Sequence, residues 1–512
     1  MLRSTAKSFS GSSASSPPGP PPLTERTYDR LKGGSSRRGT GKLSNTFSVD
    51  RTGLAAGGVG DGDELDYQIQ DVLGIAGKET PSPLVKDLLT FIKLRGPISL
   101  HDYMAQASNH AIHGYYQNAT VDKIGSKGDF VTAPEISQLF GEMIGVWCLS
   151  TWHSLGEPAA INLIELGPGK GTLMKDILRV AQRFPKFRDS LQISLVELSE
   201  TMRKVQQETL GMQIDNHNSP GPLPEQGGTS RGSGGVVGAK TAQGTPVSWY
   251  YMLQQIPEQE SVPTLVIGQE FLDAFPVHQF VYTSKGWREK LVDVDSTANS
   301  PFFFRIVLSS SATPAIKALL MRESLLLRQP TAAAAHGTWQ SPIPEGLSEN
   351  DGIEISPLAL ATCEDVAKRI HKTRGAALFL DYGEDFTQGD SLRAFKRHAQ
   401  SNILSEPGVA DITADVDFAA CRTVASRKNV LAYPAIGQGE FLVSMGIVSR
   451  AEQLIEADST SEAAAADIVQ GVRKLVDPSE MGRRFKVIAF VDRSLGGLGL
   501  AGFPSQSSEN LA

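Results

Sequence analysis

A glycine-rich segment suited to ligand binding runs from Glu165 to Thr172 and has the sequence ELGPGKGT. The apolar run 161–164 precedes the acid, and apolar residues recur at helical spacing after Thr172. This pattern predicts a buried strand, a tight glycine turn and the start of a helix. Such a turn lets the backbone approach a ligand closely and directs free N–H groups toward it.

The spacing of the glycines excludes two common phosphate-binding motifs. The dinucleotide fingerprint Gly-x-Gly-x-x-Gly requires its third glycine where Thr172 stands, and the phosphate loop requires Ser or Thr where Gly171 follows Lys170. A glycine turn without a phosphate role suits a nucleoside that carries no phosphate. The next apolar run, 192–196, ends in Glu197, which could accept hydrogen bonds from ribose hydroxyls. S-adenosylmethionine is such a nucleoside, and the alternative is a glycine turn in some other α/β enzyme.

Alternating strand-like and helix-like segments must position these residues. The predicted strands are 161–166, 192–197, 264–267, 302–308, 376–381 and 485–491, and the predicted helices are 84–95, 137–151, 172–184, 314–328 and 357–372. This order predicts an α/β domain with a largely parallel sheet, whose ligands collect at the carboxyl ends of the strands. Glu165, Glu197, Glu270 and Asp381 all lie at such ends. We therefore expect a single active cleft there.

Composition limits the function classes and divides the chain. A net charge of -7 argues against a protein that coats nucleic acid, and no apolar run is long enough to span a membrane. Three scattered cysteines form neither a disulfide framework nor a metal-binding spacing, so we expect no metal and a reducing compartment. Residues 1–80 are rich in Ser, Gly and Pro, which predicts a disordered region, and their early basic excess is compatible with a transit peptide. Low-complexity loops at 218–244 and 329–352 interrupt the predicted domain 81–495, and 496–512 form a tail.

Four further segments carry a resemblance to a known family. They are 128–142 (GDFVTAPEISQLFGE), 269–278 (QEFLDAFPVH), 380–383 (LDYG) and 411–418 (DITADVDF). Together with 165–172 they resemble the MidA family, mitochondrial protein arginine methyltransferases that act as assembly factors for respiratory complex I. The resemblance extends from about residue 82 to 495 between the loops. It departs at Gln269, where relatives are expected to have Asn.

The resemblance implies a fold, a cofactor and a substrate. The implied fold is an α/β class I methyltransferase dependent on S-adenosyl-L-methionine (SAM), with a Rossmann-like mixed sheet, added helical segments and long loop insertions. The implied activity is a type II one, the symmetric dimethylation of an arginine in the 49-kDa-type core subunit of complex I, in the mitochondrial matrix. Two alternatives stay open: a SAM-binding assembly chaperone with little turnover, and a methyltransferase for a small molecule.

The predicted cofactor site combines the glycine turn with the acids at the strand ends. Glu165 would face the methionine amine, Glu197 would bind the ribose, and the glycines would leave room for the ligand. The predicted cofactor-binding residues are Glu165, Gly167, Pro168, Gly169, Gly171, Thr172, Glu197 and Leu198. Alternatively, each glycine could serve a turn that does not touch a ligand.

Carboxylates are also predicted to hold the acceptor arginine. A guanidinium has a pKa above about 12, so it must be oriented and polarised by acidic groups before it can attack a methyl group. Glu270 and Asp273 are the predicted catalytic residues, although either could instead cap the following helix. Thr132, Glu135 and Tyr382 are predicted to contact the substrate, and Tyr382 could equally be a core aromatic.

A second acidic group lies further along the chain. Asp411, Asp415 and Asp417 could attract a basic segment of a substrate protein. A solvated acidic loop is the alternative interpretation of the same three residues.

Overall fold

The described part of the chain covers most of the predicted domain. A computed structural model describes residues 80–117, 125, 128–212, 237–297, 300–321, 348–457, 460–495 and 499–504. The predicted transit peptide and most of the two low-complexity loops lie outside these residues. Among the described residues, no helix combines the length and apolar character needed to cross a membrane.

The helices begin where the sequence supplies capping groups. Ser82 and Ser356 each accept a hydrogen bond from a backbone N–H of the first turn, and each precedes a proline at the first helical position. The helices are α1 Pro83–Arg95, α2 Leu100–Asn109, α3 Ala133–Ile136, α4 Gln138–Ser154, α5 Thr172–Ala181, α6 Pro185–Ser190, α7 Glu200–Thr209, α8 Pro314–Ile316, α9 Pro357–Thr373, α10 Phe418–Ser426, α11 Gln438–Ser444, α12 Ile447–Ile455, α13 Glu462–Val476 and α14 Met481–Arg484.

The strands belong to one large sheet and two smaller ones. They are β1 Ile98–Ser99, β2 Ile161–Leu166, β3 Leu191–Val196, β4 Val237–Lys240, β5 Pro246–Tyr250, β6 Thr264–Gln269, β7 His278–Thr283, β8 Gly286–Val294, β9 Phe304–Leu308, β10 Gly352–Ile355, β11 Ala376–Glu384, β12 Arg393–Lys396, β13 Ala399–Ser401, β14 Asp411–Thr413, β15 Val416–Asp417, β16 Val430–Ala432, β17 Ile436–Gly437 and β18 Phe485–Asp492.

The large sheet has the order β16-β18-β11-β6-β2-β3-β5-β4. The five strands β5, β3, β2, β6 and β11 run parallel, as the alternating pattern predicts. Strands β18 and β4 run antiparallel to their neighbours, so the sheet is mixed. Leu166 of β2 pairs with Val196 of β3 and Gly268 of β6, and Gln269 pairs with Leu380 of β11. The register therefore brings the predicted strand ends to one edge.

Helices cover both faces of this sheet, which explains why its strands are apolar without alternation. Ile161 and Leu163 of β2 lie in a core cluster that includes residues of α4 and α5. Ile164 and Leu166 belong to a separate cluster with residues of α9 and α10. Successive side chains of the same strand thus enter different cores.

Smaller antiparallel elements are inserted after the carboxyl ends of two central strands. Strands β7–β10 follow β6 and, with β1, form one sheet, and β12–β14 follow β11 and form another. A third core cluster joins them to α1 and α2 and contains Leu88, Tyr103, Val292, Phe304 and Ile412. The added elements therefore begin at the edge where the cleft is expected.

Three segments differ from their predicted conformation. The end of the predicted loop 218–244 contains β4, which pairs with β5. The predicted helix 314–328 has only one α-helical turn, α8, followed by a π-helical stretch at Lys317–Met321, and its remainder lies outside the described residues. In the predicted tail, Leu500 is buried and the Phe503 ring lies 5.3 Å from that of Tyr433. Tertiary contacts, which local composition does not encode, order these segments.

Candidate active site

The glycine turn adopts a backbone conformation that favours glycine at three alternate positions. Gly167, Gly169 and Gly171 have φ angles of 62°, 51° and 82°. A side chain in this left-handed region costs roughly 1–2 kcal/mol. Gly171 is also the N-cap of α5, and it provides no capping side chain for the first helical N–H groups. The N–H groups of Gly167 and Gly171 donate to the carbonyl oxygens of Val196 and Pro168, so the first turn of α5 is the source of N–H donors for a ligand.

An aromatic ring joins this turn to the segment after β6. A Cβ atom on Gly167 would lie only 2.7 Å from Cδ2 of Phe271. Glycine is thus required here for packing as well as for its φ angle. The contact brings Glu270, which precedes Phe271, and Asp273, which lies two residues after it, close to the glycine turn.

Glu165 lies at the end of β2 with its carboxyl group buried. It is 3% exposed, and its Oε2 has no hydrogen-bond partner among the described residues. Burial raises the pKa of Glu165 to about 8. A buried carboxyl oxygen without a partner is costly, and a donor from a bound ligand would satisfy it. The residue is therefore compatible with a cationic ligand group, and its contact with the methionine amine stays a prediction.

Glu197 is held directly after β3. Its Oε1 accepts a hydrogen bond of 2.8 Å from the N–H of Ser199, and its Oε2 accepts one of 3.1 Å from Nε2 of Gln206. A carboxylate can accept about four hydrogen bonds, so capacity for two ribose hydroxyls remains. The next residue, Leu198, is 49% exposed and offers an apolar surface beside this group.

The segment 132–138 contacts the site at two points. Ala133, the first residue of α3, donates its N–H to Oε1 of Glu270 at 2.9 Å. Thr132 is the N-cap of this helix but makes no side-chain capping bond, so Glu270 caps it instead. The hydroxyl of Thr172 donates to Oε1 of Glu135. Glu135 therefore lies beside Thr172, one of the predicted cofactor residues, and its contact with the substrate stays a prediction.

Glu270 and Asp273 form an acidic cluster with Asp381. Oδ2 of Asp381 accepts the backbone N–H groups of Phe271, Leu272 and Asp273 at 2.8–3.3 Å. Burial raises the pKa of Glu270 to about 8, and the negative charge of Asp273 adds to this shift. Burial also raises the pKa of Asp273 to about 6. Burial and the charges of Asp273 and Glu270 also raise the pKa of Asp381 well above its usual value. Asp381 thus shapes the turn, and all three acids are destabilised in their charged forms.

Glu270 also has an uncommon backbone conformation. Its φ angle is 47°, and its N–H donates to the carbonyl oxygen of Leu380 at 2.8 Å. Non-glycine residues in this region are uncommon and cluster at functional sites. The hydrogen bonds at both ends of the residue hold it in this conformation.

Tyr382 contacts the acidic cluster and the core. Its hydroxyl is hydrogen-bonded to Asp273, and its ring lies 5.5 Å from that of Phe485. The guanidinium carbon of Arg393 lies 5.2 Å from the centre of the Tyr382 ring. Tyr382 is therefore a packed aromatic that also borders the predicted acceptor site. Its packing agrees with the core interpretation, and its contact with the substrate stays a prediction.

Several residues of this region were missed by sequence reasoning. The hydroxyl of Tyr116 donates to Asp411 at 2.9 Å, and that of Tyr115 donates to Asp129 at 2.9 Å. The adjacent tyrosines, in a segment without helical or strand periodicity, were the available signal. Gln206 gave no signal, because a single glutamine in a polar helical segment predicts a surface residue.

The second acidic group is not a solvated loop, so that interpretation is wrong. Asp411 is 4% exposed and accepts the Tyr116 hydroxyl, and the Asp415 side chain, also 4% exposed, pairs with Arg393 and Arg484. Asp417 caps α10. These carboxylates have partners within the chain. In the described part of the chain, no three His, Cys, Asp or Glu side chains are grouped to hold a metal ion.

Comparisons with known proteins agree with this geometry. Residues 143–435 match the profile of a family of S-adenosyl-L-methionine-dependent methyltransferases. The chain is 36% identical over 421 residues to the mitochondrial protein arginine methyltransferase NDUFAF7 of Bos taurus, a match that covers 81% of this chain and 85% of the bovine protein. It is also 36% identical over 410 residues to the Drosophila melanogaster homologue, covering 79% and 84% of the two chains.

A solved structure shares the fold. It is a methyltransferase homologue from Burkholderia thailandensis bound to S-adenosyl-homocysteine, 25% identical, with a TM-score of 0.61 over 84% of this chain and 99% of that chain. The predicted family, the class I methyltransferase fold and the SAM cofactor are thereby confirmed.

Proposed function

Because this chain belongs to a family of SAM-dependent methyltransferases, we propose that it methylates an arginine side chain of a protein substrate. The observation that carries this proposal is the pair Glu270 and Asp273. Burial raises the pKa values of both acids, the charge of Asp273 adds to the shift of Glu270, and a bound cation such as a guanidinium would stabilise their charged forms. The names of the mitochondrial relatives support an arginine acceptor and a mitochondrial location. The MidA resemblance supports the finer proposal, which is symmetric dimethylation of the 49-kDa-type complex I subunit in the matrix, needed for assembly or stability of the complex.

The residues around the glycine turn fit the cofactor. The N–H groups at the start of α5 and the unpartnered Oε2 of Glu165 would hold the methionine portion, and Glu197 would hold the ribose. Leu198 and Met252, which follow β3 and β5 and are 49% and 53% exposed, offer apolar contacts to the adenine. The bound cofactor supplies an electrophilic methyl group on a sulfonium. Transfer therefore requires chiefly that the protein align its acceptor.

The acidic cluster would perform that alignment. Two carboxylates that grip a guanidinium orient it and draw its positive charge away from the attacking nitrogen. Tyr382, hydrogen-bonded to Asp273, would hold that carboxylate in place beside the guanidinium. Glu270, with a pKa of about 8, is suited to take the proton that the acceptor nitrogen loses after it is methylated. Phe271, between these acids in the chain, places them against the glycine turn.

The acidic cluster predicts a rise of activity with pH. Asp273 and Glu270 have pKa values of about 6 and about 8, and only their ionised forms attract a guanidinium. At saturating SAM, kcat/KM for the protein substrate should therefore increase from pH 6 to about pH 9, roughly one unit above the higher pKa, and level off beyond it. Saturating cofactor is required because Glu165, with a pKa of about 8, could titrate in the same range. A profile that is flat or falls across this range would contradict the roles of both acids.

A labelling experiment tests the reaction itself. We expect the full-length protein, incubated with radiolabelled SAM and a mitochondrial matrix extract, to label one protein that contains dimethylarginine. Mass fragmentation of the modified peptide should then show symmetric dimethylation. If SAM binds and nothing is labelled, the chaperone hypothesis replaces this proposal, and label in small solutes would favour a small-molecule methyltransferase.

A further inference from the structure

Gln206 is a polar side chain that lies fully inside the protein beneath the cofactor residues. It belongs to α7 and is 0% exposed. Its Nε2 donates to the carbonyl oxygen of Gly169 at 2.8 Å and to Oε2 of Glu197 at 3.1 Å. Its Oε1 accepts a hydrogen bond of 2.8 Å from Nε1 of Trp249. One side chain thus connects the loops after β2 and β3 with the strand β5.

Trp249 determines which end of the Gln206 amide faces the site. An indole N–H can only donate, so it must meet the amide oxygen and not the amide nitrogen. With the oxygen engaged, both amide hydrogens are directed to Gly169 and Glu197. Because Trp249 is itself 0% exposed, water does not compete for this hydrogen bond.

Both acceptors need such a fixed donor. Gly169 has a φ angle of 51° and, lacking a side chain, can readily change the direction of its peptide group. The Glu197 carboxylate is held at Oε1 by Ser199, so a donor at Oε2 fixes its plane. A donor to the carboxylate also favours its ionised form, which counters the rise in the pKa of Glu197 caused by burial.

The backbone of Glu197 is anchored separately. Nε and Nη2 of Arg203 donate to the carbonyl oxygen of Glu197 at 3.0 and 2.6 Å. The guanidinium carbon of Arg203 lies 3.9 Å from the centre of the Tyr251 ring. Helix α7 therefore holds the main chain of this acid with Arg203 and its carboxylate with Gln206. Loss of the Gln206 contact would therefore change how the carboxylate faces a ligand, while Arg203 still holds the backbone of Glu197.

We propose that Gln206 is a positioning residue that sets the Glu197 carboxylate for recognition of the ribose hydroxyls and couples it to the glycine turn. This inference rests on the proposed contact between Glu197 and the ribose. It assigns ribose selectivity to a side chain that does not touch the ligand. A ligand that lacks one ribose hydroxyl should therefore reveal the role of Gln206 better than SAM alone.

The test compares S-adenosylhomocysteine with its 2′-deoxy analogue by calorimetry on the full-length protein. Gln206→Met keeps the approximate volume and removes all three hydrogen bonds. It should weaken binding of the ribose ligand by about tenfold, the equivalent of one hydrogen bond to a charged group. It should weaken binding of the deoxy ligand less, so the ratio of the two Kd values should fall toward one. The same change at the next residue, Gln207→Met, should leave the ratio at its wild-type value.

A double-mutant cycle separates positioning from packing. In a Glu197→Gln background, Gln206→Met should change the Kd for S-adenosylhomocysteine by less than about threefold, because the carboxylate that it positions is gone. If Gln206→Met lowers both affinities equally and leaves the ratio unchanged, Gln206 is only a packing residue and the inference is wrong. An unchanged ratio in Glu197→Gln alone would overturn the ribose contact and this inference with it. The arginine acceptor is tested independently by the labelled product.

A second variant applies if Gln206→Met does not fold. Trp249→Phe keeps Gln206 and most of the aromatic volume but removes the donor that orients its amide. The amide oxygen of Gln206 then loses the donor that anchors it, so the amide is held less firmly against Glu197 and the ratio of Kd values should fall part of the way toward one. A wild-type ratio in this variant, with an unfolding midpoint showing that it is folded, would contradict the orienting role.

Discussion

Glu270→Gln should reduce methylation of the protein substrate by at least about 100-fold and leave the Kd for SAM nearly unchanged. Glutamine keeps the volume and the side-chain oxygen that accepts the Ala133 N–H, so the cap of α3 is retained. It loses the negative charge that would hold a guanidinium. Single-turnover methylation and calorimetry with SAM measure the two effects separately.

The same variant should be more stable than the wild type at pH 8. Burial raises the pKa of Glu270 to about 8, well above about 4.3 for an unfolded glutamate. The folded state is therefore favoured at low pH and loses stability as pH rises from about 4.3 toward 8, since ionisation is harder in the folded state. Glutamine removes this loss, and the Tm at pH 8 should rise by roughly 1 °C for each kcal/mol recovered in a domain of this size.

A matched control distinguishes a functional carboxylate from a buried one. Glu354 is also buried with a raised pKa, but its partners are Gln279 of β7 and Ser391, which lies just before β12. Glu354→Gln should retain turnover per folded molecule. If Glu270→Gln also retains turnover, Glu270 serves only to cap α3, a contact between distant segments that differs from the capping of the following helix considered from the sequence.

Gly169→Val should abolish detectable binding of SAM. The φ angle of 51° disfavours any side chain, and a β-branched one most strongly. The added methyl groups would also occupy the surface along which the backbone meets the ligand. Calorimetry with SAM and with S-adenosylhomocysteine should detect the loss.

The control for Gly169→Val carries the same backbone strain away from the site. Gly286 has a φ angle of 83° in the hairpin between β7 and β8, and a Cβ atom added there would have no other atoms within 4 Å. Gly286→Val should lower stability and leave the Kd for SAM unchanged. Wild-type affinity in Gly169→Val would show that the cofactor site has been assigned to the wrong turn.

Local periodicity was enough to predict the elements that carry the site. The strand before Glu165, the glycine turn and the helix after it depend on neighbouring residues only, and each is observed where the pattern places it. The carboxyl ends of parallel strands must share an edge, so the proximity of Glu197 and Glu270 to the turn also followed from the pattern. The structure of the low-complexity segments was harder to predict, since β4 depends on pairing with β5 and not on its own composition.

Side-chain roles depended on contacts between distant segments. Glu135 and Glu270 lie far apart in the sequence, and only the packed chain shows that the first meets Thr172 while the second meets Ala133. Asp381 was predicted at the strand end, but the hydrogen bonds that it accepts from the backbone of 271–273 depend on the register of β6 against β11. The three acids at 411–417 look equivalent in the local sequence pattern, and only their different partners in the folded chain distinguish their roles.

The resemblance to a known family indicated a SAM-dependent methyltransferase, whereas the residue pattern by itself determined the α/β order, the glycine turn and the acids at the carboxyl ends of the strands. That information is local, because glycine spacing and apolar runs act within a few residues. The tertiary structure alone decided which acids are buried, which are paired and which are strained. Burial raises the pKa of Glu165 and Glu270, and the packing of α7 places Gln206 under the glycine turn. These properties arise from the dielectric surroundings and hydrogen-bond geometry that only the folded chain creates.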